Sequence, residues 1–133
     1  MFSRFACACL GIAIVNLTAC GSASPAGPTP VVLLDTTVTL TSGENCTGGY
    51  AGAEFTGTAG TTVTISATGG ATLAPLVVLY APGFTTQLGV SSSSRAGTAS
   101  LTSAITQSGV HHLSVCNVNG VAGTLRITVQ QQK

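Results

Sequence analysis

Charge is what this chain has least of: Lys+Arg 4 and Asp+Glu 3 leave only 5% of its 133 residues charged, against about 25% in an ordinary soluble domain. Nucleic-acid binding is excluded, because neutralising phosphates takes clustered Lys and Arg. Carboxylates are equally scarce. Asp35, Glu44 and Glu54 cannot supply the roughly 6 to 8 oxygens that a hard cation takes, so neither a metal nor another cofactor is expected. Tryptophan is absent and aromatics stand at 5%, which rules out a broad stacking platform. The apolar run at residues 6–17 falls short of the about 20 residues that a membrane-spanning helix needs. Hydrophobic residues nevertheless reach 44%, enough to bury a core, and the length suits one domain of roughly 100 to 200 residues.

The first residues form a targeting segment. Arg4 supplies one positive charge ahead of the apolar run, which ends in Leu17-Thr18-Ala19-Cys20 followed by Gly21 and Ser22. This ending resembles the lipobox of bacterial lipoproteins. The resemblance implies cleavage before Cys20, a diacylglycerol on its sulfur and often acylation of the new amino terminus. Two or three acyl chains, at about 0.8 kcal/mol for each buried CH₂, make a stable anchor. An ordinary secretory signal cut after an alanine would instead leave Cys20 a free thiol. Gly21 stands where an Asp would argue for inner-membrane retention, so the outer membrane is favoured in a two-membrane organism.

Beyond the signal, Arg95, Arg126 and Lys133 balance Asp35, Glu44 and Glu54. No polybasic surface exists to hold lipid headgroups, and attachment falls to the acyl chains. The stretch GSASPAGPTP at residues 21–30 reads as a tether, reaching roughly 30 Å at about 3.1 Å per residue. The expected organisation is a signal peptide at 1–19, the lipidated Cys and tether at 20–35, and a folded domain at 36–133. Of the Cys 5 in the chain, Cys7 and Cys9 leave with the signal and Cys20 takes lipid. Cys46 and Cys116 remain, and an even pair in an exported chain reads as a disulfide. A metal or redox role would need a CxxC spacing or further ligands, and neither is present.

The folded part alternates apolar and hydroxyl residues in short runs broken by Gly and Pro. Val63, Ile65 and Ala67 fall on one face and Thr62, Thr64 and Ser66 on the other; Leu125, Ile127 and Val129 alternate with Thr124, Arg126 and Thr128 in the same way. Strands are expected at 36–41, 53–56, 61–67, 76–80, 87–91, 99–105, 110–115 and 124–129. Turn signals stand at Gly69-Gly70, Pro82-Gly83, Ser108-Gly109 and Asn119-Gly120. About eight one-sided strands without a helical period predict an all-β fold, an antiparallel β-sandwich or jelly roll.

The residues from Phe55-Thr56-Gly57 through Thr61 to Ile65, then Leu79-Tyr80-Ala81-Pro82-Gly83, Ser108-Gly109 leading to Leu113, and Gly123-Thr124-Leu125 resemble the bacterial pre-peptidase C-terminal domain family. The likeness runs over about residues 36–130. It implies a β-sandwich and an accessory role beside secreted peptidases, and it places Phe55 and Tyr80 in the core. Ala81 departs from the family's Asp, while His111 and Leu125 replace aromatic residues. Some collagenase-attached members bind calcium, but this chain lacks the carboxylate cluster for it.

Catalysis finds little support. A Ser or Cys nucleophile needs a base within about 3 Å and a group that orients the base; the lone Asp35 adjoins the tether and no GxSxG motif occurs. Glu44 and Glu54 would have to pair across a Gly-rich loop for glycoside cleavage, and both are expected to be solvated. His111 and His112 are adjacent on a strand and must face opposite ways, His111 towards the core and His112 towards solvent. The expected function is a membrane-anchored, non-catalytic binding or accessory module of the cell envelope, with an envelope protein as partner; the alternative is a carbohydrate-binding surface lipoprotein. Tyr50 and Phe84, the rings left over for loops, are the candidate ligand contacts.

Overall fold

The computed structural model describes residues 27–93 and 97–132; Cys20, its lipobox and Arg95 lie outside them. Eight strands form: β1 Val31–Leu40, β2 Ala51–Gly57, β3 Thr62–Gly69, β4 Pro75–Tyr80, β5 Gln87–Ser92, β6 Thr98–Ala104, β7 Gly109–Asn117 and β8 Gly123–Gln132. They build two antiparallel four-stranded sheets with the orders β1-β8-β3-β6 and β2-β7-β4-β5. In the primary pairings β1 meets β8, β2 meets β7, β3 meets β6 and β4 meets β5. The chain is thus a long antiparallel ribbon folded at the β4–β5 connection and then rolled up, which brings β3 beside β8 and β4 beside β7. Of the two expected architectures, this is the jelly roll.

Local alternation is why the strands form, and the inner faces are why they stack. Val63, Ile65 and Ala67 of β3 and Leu125, Ile127 and Val129 of β8 are all fully buried. Their partners across the sandwich are Phe55, Val77, Leu79, Leu113 and Val115. Each large side chain so placed stabilises the fold by about 1.5 to 3 kcal/mol.

Strand β1 starts at Val31, not at Thr36, so residues 31–35 belong to the sheet rather than to the tether. The reason is a register shift between Val32 and Leu34. The bulge turns both Leu33 and Leu34 against the core and hides the period-two pattern in the sequence.

Among the described residues two polar side chains are buried, Asn117 and His111. Asn117 is 0% exposed; its Oδ1 accepts from the Ala74 amide at 2.7 Å and its Nδ2 donates to the Val121 carbonyl at 2.6 Å. It therefore joins the β3–β4 connection to the β7–β8 connection. His111 is also 0% exposed, stacked on Phe55 with centroids 5.4 Å apart. Its Nδ1 lies 3.0 Å from the Gly109 carbonyl, while Nε2 has no partner among the described residues. Gly57 makes room for this ring, since a Cβ there would lie 3.0 Å from His111 Nδ1.

On the outer face of the first sheet, Arg126 of β8 donates to both carboxylate oxygens of Asp35, at 2.9 and 2.7 Å. That hydrogen-bonded guanidinium holds Asp35 below the usual carboxylate range. Glu44 is lowered in the same direction by the Thr41 hydroxyl and amide that donate to it. A carboxylate with a depressed folded pKa contributes stability above its unfolded pKa and loses it as pH falls through the folded one. Unfolding midpoints should therefore decline on acidification below the ordinary carboxylate range, by a small amount because both groups are exposed. Asp35→Asn should flatten that part of the profile, as checked by denaturant titrations across acidic pH.

Candidate binding site

The sheet β2-β7-β4-β5 turns its other face to solvent, and one cross-strand row there carries most of its polar chemistry. Parity decides which residues face out: Phe55, His111, Leu113, Val77 and Leu79 point inward, so Glu54, His112, Ser114 and Tyr80 point outward. Register then sets Glu54 directly opposite His112, and His112 opposite Tyr80. His112 Nδ1 lies 2.9 Å from Glu54 Oε1. The imidazole was expected to be solvated, but its side chain is only 16% exposed, because an aromatic lid covers it.

That lid is Phe84. It stands at the tip of the β4–β5 hairpin, the fold point of the rolled ribbon, in a 3-10 turn over Pro82–Phe84. The turn is closed by the Ala81 amide donating to the Thr86 carbonyl at 2.8 Å and the Phe84 amide donating to Ala81 at 3.1 Å. Gly83 has φ 71 and Phe84 itself φ 56, a left-handed conformation that is rare for a bulky side chain. This backbone lays the Phe84 ring over His112, with centroids 4.0 Å apart and planes 17° from parallel. Tyr80 supports it from the side at 5.4 Å and 51°.

Tyr50 forms the opposite rim, at the entrance to β2. The loop before it is built from local hydrogen bonds: Asn45 Oδ1 accepts from the amides of Thr47 and Gly48 at 3.2 and 2.7 Å, an Asx-type turn. The Asn117 amide donates to the Glu44 carbonyl at 2.9 Å, and the Cys46–Cys116 disulfide bolts the loop to β7. The Tyr50 hydroxyl donates to the Cys46 carbonyl at 3.0 Å. Cys46 has φ 68, and among the described residues Cys46 and Phe84 are the non-glycine residues with positive φ. Each such conformation costs about 1 to 3 kcal/mol. Phe84 lines one groove, and the Cys46 carbonyl holds the ring of Tyr50, which lines the same groove.

The groove encloses about 410 Å³ and is lined by Tyr50, Ala51, Gly52, Ala53, Glu54, Phe84, His112, Leu113 and Ser114. Its volume falls within the roughly 300 to 1,000 Å³ of small-molecule sites. The floor is low: a Cβ on Gly52 would meet nothing within 4 Å. Tyr50 and Phe84 are 49% and 57% exposed, so both rings offer open faces.

The sequence expectations separate here. Tyr50 and Phe84, both named as ligand contacts, line the same groove. Phe55 is in the core, but Tyr80 is not: it is half-buried on the outer face, because Val77 and Leu79 take the inward parity of β4. Glu44 and Glu54 are not brought together; Glu44 is engaged by Thr41. Glu54 remains 61% exposed, yet is paired rather than simply solvated. Chemically, the groove holds one carboxylate that orients one imidazole. Among the described residues no Ser, Thr or Cys is hydrogen-bonded to His112.

No family model matches the chain, and no curated protein matches it. Among solved structures, it is similar to the pre-peptidase C-terminal domain of a collagenase from Bacillus anthracis, with TM-score 0.58 and 13% identity over 74% of this chain and 89% of that one. At this identity the likeness concerns the fold, and it agrees with the jelly-roll sandwich described above.

His112→Ala should remove the Phe84 stack and leave Glu54 without its partner. Denaturant unfolding should show a loss of about 1 kcal/mol, the usual magnitude for an aromatic pair, and Phe84 ring signals in NMR should lose their upfield shift.

Proposed function

We propose that this protein is a lipid-anchored, non-catalytic binding module of the bacterial cell envelope, which presents the Tyr50–Phe84 groove as its ligand seat. The observation that carries this reading is the convergence of two strained backbone segments, at Cys46 and at Phe84, on the two exposed rings of one groove. Strain of this kind persists where the surrounding structure enforces it, and it concentrates at ligand sites.

Anchoring rests on the lipobox-like Leu17-Thr18-Ala19-Cys20 and the proline-containing stretch after it. Strand β1 begins at Val31, paired with Gln131, and ends at Leu40, paired with Gly123. The disulfide loop follows Leu40, so Tyr50 enters β2 at the end of the sandwich remote from Val31, and the groove opens on the outer face of the β2-β7-β4-β5 sheet. The accessory role fits a fold that resembles a pre-peptidase C-terminal domain. With few charges to steer a partner, recognition depends on the shape and stacking surfaces of the groove.

Mass spectrometry of the native chain should find Cys20 at the amino terminus carrying a diacylglycerol. Cys20→Ala should move the protein from the membrane to the soluble fraction without lowering its unfolding midpoint. An unmodified Cys20 thiol in membrane-extracted protein would refute the anchor.

A further inference from the structure

Building on the groove as a ligand seat, we infer that it takes a neutral carbohydrate, with the apolar CH face of a pyranose ring against the exposed Tyr50 and Phe84 rings and its hydroxyls on Glu54 and Ser114. The chemistry of the lining selects this class. Aromatic faces carry negative charge density and attract the weakly positive CH edges of a sugar. Both rings have been immobilised in advance, Tyr50 through its hydroxyl on the Cys46 carbonyl and Phe84 through its stack on His112. Binding therefore costs little side-chain ordering.

The polar groups complete the fit. One Glu54 oxygen is held by His112, and the other is available to accept a sugar hydroxyl in a charge-assisted hydrogen bond. Ser114 stands opposite Gly52 in the same face, where its hydroxyl both donates and accepts. Gly52, which carries no side chain on the outer face, keeps the floor low, so that a ring-shaped ligand reaches down to the strand.

Other ligand classes fit less well. Glu54 is the groove's only residue with a permanently ionised type of side chain, and it repels phosphates and sulfates. A peptide anchor would need a deep aliphatic pocket, and the floor on the outer face offers Gly52. β1 of the facing sheet packs beside β2, which leaves the outer face rather than the strand edge as the approach. A quaternary ammonium would also favour aromatic rings, and it serves as the competing probe.

The test uses the full chain on an array of neutral and acidic oligosaccharides, with choline and an extended-peptide library in parallel. Because the chain has Tyr 2 and Trp 0, tyrosine emission then reports titration of the retained ligand. Neutral glycans should be retained. Tyr50→Ala and Phe84→Ala should each weaken their binding about tenfold or more, Tyr50→Phe should stay within about threefold of the parent, and Val90→Ala should change nothing. Native strand structure in Tyr50→Ala and Phe84→Ala, checked by circular dichroism at the binding temperature, separates stacking loss from misfolding. Glycan binding that ignores both alanine substitutions would overturn the inference. Choline or peptide binding that depends on Tyr50 and Phe84, without glycan binding, would overturn the carbohydrate class and leave the groove as a seat. No ligand of any class depending on the two rings would overturn both.

Discussion

The Cys46–Cys116 disulfide is the constraint from which the arrangement of this molecule follows. It closes a loop spanning a sequence separation of 70, which in the chain-entropy picture stabilises the fold by roughly 4 kcal/mol. In a chain with so few charges this is a large single contribution, on the scale of the 5 to 15 kcal/mol by which domains are usually stable. It also has a local consequence. The loop it fixes to β7 carries Cys46 in a left-handed conformation and presents the carbonyl that holds the Tyr50 hydroxyl. The cross-link that stabilises the fold thus also poses one rim of the groove.

The other rim is a product of topology. Rolling a ribbon whose fold point is the β4–β5 connection places Phe84 at the tip of that hairpin and sets β4 beside β7. Tyr80 and His112 become neighbours across that pairing, and Phe84 closes over both. Glu54 arrives independently, through the pairing of β2 with β7. The groove is therefore a meeting of β2, β7 and the hairpin tip, elements distant in the chain. Its rigidity comes from the sheet beneath it, which is fastened on its inner side by Leu113, Val115, Val77 and Leu79.

These two origins explain what could be read from the residues alone. The strands were legible because alternation is a local property: Val63-Thr64-Ile65-Ser66-Ala67 states its buried face without reference to anything else. The outer faces needed parity, which is also local and separates His111 from His112. The Glu54–His112 pair was not legible, because it depends on the register of β2 against β7. The start of β1 was hidden by the bulge at Val32/Leu34, which breaks the alternation that would have announced it. Tyr50 and Phe84 could be named as exposed rings, since the core strands left them over; that they share one groove is a fact of three-dimensional folding. The scarcity of Lys and Arg, by contrast, is legible from composition alone, and the expectation that phosphate-rich partners are not bound rests on it.

The most direct measurement is equilibrium unfolding of the full chain with the disulfide intact and after reduction, followed by the tyrosine signal. The account predicts that reduction lowers stability by roughly 4 kcal/mol and that Tyr50 gains ring mobility while β3 and β8 keep their strand structure under native conditions. Equal stability in the two forms, with an unchanged Tyr50 environment, would contradict the claim that this cross-link holds both the fold and its groove.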